Sequence, residues 1–166
     1  IELMARAAGL MHDHKYLSKL YGIQADILNL KIIFRCYRDK IGSEQARSFI
    51  LKNGYYLTDE KISQLLDAAD ISSLISALDG TPYQEILSEK LRSFDRTGSL
   101  NLVEIALDEF WASNVKSYYL QQPFGLTPIA CYLSLKEIEI TNIRAILNCI
   151  KLGLPKEKIR ELLVGL

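Results

Sequence analysis

The sequence predicts an all-α fold made of two similar helical repeats, each a long helix, a tight turn and a short helix, with connecting short helices between them. Three observations carry this expectation. Apolar residues recur at steps of three and four along the long segments, the spacing of one side of a helix, and no stretch sustains the alternation of a strand. Segment starts and stops carry capping residues, prolines and glycines at the positions that helix ends favour. Finally, residues 25–51 and 138–164 match each other without a gap.

In chain order, a first helix is expected over most of Glu2 to Leu20, ending near Gly22, and a second over residues 25–40. Ile41-Gly42 breaks it, and a short helix from about Ser43 to Leu51 closes at Asn53-Gly54. Thr58 starts TDEKISQLLDAA and Asp70 starts ISSLISAL, each with a side-chain oxygen able to accept from a first-turn amide. Thr81-Pro82-x-Gln84 has the form of a capping box with proline at the first helical position. Thr97-Gly98-Ser99 is the most open break, and Asn101-x-x-Glu104 caps a helix that ends before Pro123. This divides the chain into residues 1–98, the first repeat with its following short helices, and residues 99–166, the second repeat.

The last segment has the strongest helical pattern. Thr127-Pro128 is its start, and Leu152-Gly153 with Pro155 its stop. Ile129, Leu133, Ile140, Ile143, Leu147 and Ile150 line one side, while Leu135, Ile138 and Ile146 line a second. A helix apolar on two sides is expected to be buried between neighbours.

Laying ADILNLKIIFRCYRDKIGSEQARSFIL over IEITNIRAILNCIKLGLPKEKIRELLV brings together identical residues at Ile27/Ile140, Asn29/Asn142, Ile33/Ile146, Cys36/Cys149, Glu44/Glu157 and Arg47/Arg160. Asp26/Glu139, Lys31/Arg144, Leu30/Ile143, Phe34/Leu147 and Arg38/Lys151 keep their chemistry. A duplicated helical unit is a packing device. Asp26 with Asn29, and Glu139 with Asn142, are three apart and share a face, whereas Lys31 and Arg144 point elsewhere. Asparagine is a poor residue inside a helix, so its appearance at both positions predicts a hydrogen bond to a neighbouring helix.

These residues also carry a family likeness. The Asp/Glu-Ile-x-Asn-Leu/Ile-Lys/Arg pattern of both copies, Tyr132 with Lys136-Glu137-x-Glu139 leading into Asn142-Ile143-Arg144, and the closing Gly153-Leu154-Pro155 with Ile159-Arg160 resemble the C subunit of the bacterial and archaeal V/A-type ATPases. That family is similar to the d subunit of the eukaryotic vacuolar pump. The resemblance is strong from Thr127 onward, good over residues 1–55 and weak between them. It implies three similar helical repeats in a whole family member, of which this chain shows two and looks like roughly the C-terminal half.

Composition bounds the function classes. With 166 residues, 49% of them hydrophobic, and four prolines, the chain can bury a sizeable interior and is not expected to be disordered. Acidic and basic groups balance at 20 each, which gives no overall reason to bind nucleic acid or an anionic membrane. Their distribution is uneven, since residues 58–110 carry eleven acidic against four basic groups. Asp67, Glu85 and Glu89, on short helices outside the matched segments, are the candidate partner-contact residues. No apolar run approaches the roughly 18 residues of a membrane span, and Ile1 opens without a signal-like leader. Cys36, Cys131 and Cys149 stand at no metal-ligand spacing and read as small buried thiols of a reducing compartment.

No residue pattern supports catalysis or a cofactor. His12-Asp13-His14 offers possible ligands, but neighbours on a helix diverge and no further histidine exists. FDRTGSLNLVEI from Phe94 has its glycine too early for a calcium loop and lacks the closing glutamate, so a turn is expected there. Glu137, Glu139 and Asp26 are carboxylates without a nucleophile or positioned histidine, for which salt bridging suffices. A GxxxxGK[ST] phosphate loop is absent. The resemblance therefore implies a non-catalytic central-rotor coupling component, peripheral on the cytoplasmic side of the membrane, that links the central stalk to the membrane ion ring in proton or sodium transport. The competing reading is a helical-repeat scaffold for an unrelated protein partner.

Overall fold

The computed structural model describes residues 2–165, with side chains from His14 onward. Eight helices and no strand are present among the described residues: α1 (Glu2–Arg38), α2 (Ser43–Arg47), α3 (Asp59–Leu66), α4 (Ile71–Ala77), α5 (Pro82–Thr97), α6 (Asn101–Gln121), α7 (Thr127–Lys151) and α8 (Lys156–Glu161). The all-α expectation holds.

Local chemistry explains most of the boundaries. The Thr58 hydroxyl accepts from the Lys61 amide at 3.3 Å to start α3, and the Asp70 carboxylate accepts from the Ser73 amide at 2.7 Å to start α4. Gly98 ends α5 in the left-handed region at φ 68°, its N–H donating to the Phe94 carbonyl at 2.7 Å. Three expectations need correction here. Thr81 does not form the capping box, because its hydroxyl turns back and donates to the Leu78 carbonyl at 2.6 Å. Asn101 and Thr127 are the first residues of their helices rather than caps, with Leu126 at the cap position of α7.

Gly22 is the largest departure. It does not end a helix, since α1 runs unbroken from Glu2 to Arg38. A Cβ at Gly22 would lie 2.9 Å from Tyr55 Cβ and 3.2 Å from the Tyr55 nitrogen, and the Tyr55 N–H donates to the Gly22 carbonyl at 3.3 Å. The glycine is a notch into which a distant loop fits, a use of its small size that looks like a stop signal in the sequence. The short helix α2 likewise stops at Arg47 instead of reaching Leu51, and the chain leaves it through Phe49 N–H to Ala46 carbonyl at 3.1 Å and Ile50 N–H to Arg47 carbonyl at 3.3 Å.

The two matched segments have the same backbone. α1 ends at Arg38 and α7 at Lys151, residues paired by the overlay. The next left-handed residues, Lys40 at φ 55° and Gly153 at φ 68°, are also paired. The six-residue return bond that closes the turn is Ile41 N–H to Cys36 carbonyl at 2.9 Å in one copy and Leu154 N–H to Cys149 carbonyl at 3.0 Å in the other. Gly42 and Pro155, both extended, then precede α2 and α8. Cys36, Cys131 and Cys149 are free and buried.

The chain divides into two compact units, residues 21–107 and residues 1–20 with 108–166. In the first, Leu30, Phe34, Leu74, Tyr83, Leu87 and Leu91 form the centre of an apolar core. In the second, Trp111, Ala112, Val115, Tyr118, Cys131 and Val164 are buried, and Tyr118 stands edge-on to Tyr16 with ring centroids 6.0 Å apart. Here α7 differs from expectation. Its inward side is Thr127, Cys131, Ser134 and Cys149, a row of small residues, whereas Ile129, Leu133, Ile140, Ile143, Leu147 and Ile150 are exposed. Periodicity identifies a face that needs cover but does not say which segment supplies it.

Candidate functional site

The features that the two copies share are built from the asparagine outward. Asn29 Nδ2 donates to the Leu51 carbonyl at 2.9 Å, and its Oδ1 accepts from the Leu51 amide at 2.8 Å. Asn142 does the same to Val164, at 2.8 Å to the carbonyl and 3.1 Å from the amide. Each amide thus clasps one whole peptide residue just beyond the short helix. The bonds reach a non-helical segment instead of the neighbouring helix that the sequence suggested, because only non-helical backbone presents both an N–H and a C=O of one residue sideways.

Asp26 extends this arrangement into a buried polar centre. Its carboxylate, with no exposed surface, accepts from the Tyr56 amide at 2.7 Å, the Leu57 amide at 3.3 Å and the Tyr83 hydroxyl at 3.1 Å. Burial raises its carboxyl above the usual aspartate value, against the opposing pull of those donors. Burial first, and then the adjacent Asp26 charge, raise the Tyr83 phenol, which remains a donor. The rings of Tyr56 and Tyr83 meet edge-on with centroids 5.9 Å apart, and Gly54 leaves room for Asp26 Oδ1, against which a Cβ would collide. Salt bridging is therefore the wrong account of Asp26: hydrogen bonding replaces it. The roles of Gly54, Tyr56 and Tyr83 were missed in the sequence, where the usable signal was a carboxylate set among Ile23, Ile27 and Leu30.

The remaining sequence candidates fall in different settings. Glu139, the counterpart of Asp26, is exposed and pairs with Lys136 at 2.6 Å. Lys31 is half-buried and Arg144 exposed. Lys31 and Arg38 reinforce the main effect on Glu104, whose carboxyl is held below its usual value by the 2.7 Å hydrogen bond from Arg35. Asp67 receives Arg47 at 3.3 Å and the Ser63 hydroxyl at 3.2 Å at the end of α3. Glu85 and Glu89 are exposed and four residues apart on α5. His14 lies 3.4 Å from the Ser18 hydroxyl, while the side chains of His12 and Asp13 lie outside the described residues. Among the described residues, no three of His, Cys, Asp and Glu converge as a metal site would require, and no helix is long and apolar enough to cross a membrane.

Clasped, duplicated helix-turn-helix units define an all-α repeat protein whose interior polar groups lock its turns. Comparison of the sequence with protein families makes the assignment specific: the ATP synthase (C/AC39) subunit family matches residues 2–162, and the chain belongs to it. It is 32% identical over 167 residues to the A-type ATP synthase C subunit of Methanobrevibacter smithii, a match covering 99% of this chain and 44% of that protein. The corresponding protein of Methanothermobacter thermautotrophicus is 32% identical over 98% of this chain and 43% of its own length. That of Methanocaldococcus jannaschii is 34% identical over 87% of this chain and 36% of its own. The chain spans less than half the length of these curated relatives. No solved structure matches it.

Proposed function

We infer that this chain acts as a non-catalytic coupling part of a V/A-type rotary ATPase, linking the central stalk to the membrane ion ring from the cytoplasmic side. The family match across residues 2–162 carries the reading. The geometry supports it in one respect: a torque-bearing socket must be stiff, and each long helix is tied to its following segment by a left-handed turn and a two-bond asparagine clasp. Load passes through many such modest contacts without any reacting group. The acidic residues Glu85, Glu89 and Asp67 would steer a basic stalk foot, acting on association rate more than on final affinity. The test is co-expression with the membrane ion-ring and central-stalk proteins of the matching ATP synthase, followed by purification through a tag on the ring. Stoichiometric recovery of this chain is the expected result. Its absence from the ring and the stalk alike overturns the reading in favour of an unrelated helical scaffold.

A further inference from the structure

One helix face is covered in the first repeat and bare in the second. On α1, Asp26, Leu30, Phe34 and Tyr37 follow one another along a single side, and α5 runs beside them in the same direction. Two contacts eleven residues apart on both helices fix this alignment: the Tyr83 hydroxyl donates to Asp26 at 3.1 Å, and the Phe94 ring stands edge-on to Tyr37 with centroids 6.3 Å apart. Leu87 and Leu91, fully buried, lie between the two anchors. The overlay that pairs Asn29 with Asn142 carries Leu30, Phe34 and Tyr37 onto Ile143, Leu147 and Ile150 of α7. Leu30 and Phe34 are 0% and 1% exposed, whereas Ile143, Leu147 and Ile150 are 49%, 61% and 62% exposed. Ile140 and Leu133 continue the bare stripe. Large apolar side chains exposed in a row along one helix face are the kind of surface that marks an interaction site.

The chemistry around the stripe narrows what fits it. Glu139 stands in the stripe at the Asp26 position, where a carboxylate suits amide and tyrosine hydroxyl donors and opposes entry into acyl chains. Arg144 and Lys151 flank it at the positions of Lys31 and Arg38, two cations whose field in the first repeat falls on Glu104. In the first repeat that acidic counterpart stands on α6, beyond the short helices, so the flank favours an acidic residue beside the docked set and the match of the short helices themselves rests on the shared register. A second copy of this chain cannot offer its own short helices, because Tyr83, Leu87, Leu91 and Phe94 are already buried against α1.

We propose that this face of α7 is the seat for a set of short acidic helices of the kind that residues 59–97 form on α1, carried by another helical repeat. The proposal is independent of the rotary reading, whose recovery test does not probe this face. The experiment is to append a second copy of residues 54–97 after Leu166, which places the added segment in the register it holds in the first repeat, and to follow amide exchange along α7. Protection of Ile140 to Ile150 should rise by about tenfold or more, and binding of an apolar-surface dye should fall. Leu147→Arg should leave the original chain folded and abolish the gain in the extended one. An extension carrying Leu87→Asp and Leu91→Asp in the added copy should hang as a tail with α7 unchanged. If the unaltered extension behaves like that control, the proposal is overturned. It is equally overturned if the original chain sediments as a dimer that Leu147→Arg dissociates, or floats with phosphatidylcholine and phosphatidylglycerol vesicles in a manner that Leu147→Arg abolishes.

Discussion

Asn29 and Leu51 are joined by a reciprocal pair of hydrogen bonds, side-chain amide to carbonyl and peptide amide to side-chain oxygen, and the pair recurs between Asn142 and Val164 at the same sequence separation. Removing one side chain orphans two backbone groups together. Asn29→Ala should therefore cost about 2 to 3 kcal/mol, and Asn142→Ala, where the residue is half-buried, about 1 to 2 kcal/mol. Urea denaturation of the two variants checks both values, and equal stability to the parent would deny the clasp a structural role.

Gly22 and Gly54 admit the same loop to α1 from opposite partners. Alanine inside a helix is ordinarily favoured over glycine by roughly 1 kcal/mol. At Gly22 that gain should be outweighed by the 2.9 Å approach of Tyr55 Cβ, so Gly22→Ala lowers the melting temperature. Gly54→Ala should be the more damaging of the two, since its Cβ displaces the Asp26 carboxylate from its donors. Thermal unfolding followed by circular dichroism gives the order directly.

The pH dependence of stability contains two carboxylates of opposite sign. Asp26 is raised above 3.8 by burial, so the folded protein holds that proton longer than the unfolded chain. Its contribution is fully present below 3.8 and is lost as pH rises through the folded value. Glu104 is lowered from 4.5 by the hydrogen bond from Arg35, so its contribution is present above 4.5 and lost as pH falls through the folded value. Stability of the parent relative to Asp26→Asn should thus decline with rising pH, and relative to Glu104→Gln should increase, when denaturation is measured from about pH 3 to 8.

Phe34 and Leu147 are paired by the duplication and separated by burial. Phe34→Ala should cost about 3 to 5 kcal/mol, while Leu147→Ala should stay within about 0.5 kcal/mol in the same chain. A comparable loss at both positions would show that the α7 stripe is covered in solution.

Charge reversal of Glu85 and Glu89 to lysine should slow association with a stalk subcomplex at low salt, with the deficit shrinking as ionic strength rises. Asp67→Lys belongs in a separate variant, because it also breaks the contact with Arg47 and requires its own stability measurement. Stopped-flow association rates at two salt concentrations decide the matter, and an unchanged rate at low salt assigns these residues to solvent.

Much of the site was legible because it is local and repeated. The match of Asn29 with Asn142 was visible without a structure, as was the need of a mid-helix asparagine for a partner. The partner itself was not. Leu51 and Val164 carry no mark of their role, since any residue offers the same peptide groups. Tyr83 and Gly54 were invisible as partners of Asp26 for a related reason: bonds between positions so far apart in the chain depend on how α5 and the loop before α3 fold back.

By itself the sequence determined the helical class, the two copies and the turns after α1 and α7, because helix periodicity and end chemistry act over a few residues. Tertiary structure alone decided that Gly22 is a notch inside one unbroken helix and that the apolar stripe of α7 faces outward while its small residues face in. Both outcomes depend on which distant segment arrives at a helix face, a choice made by close packing between elements that spacing along one element does not contain.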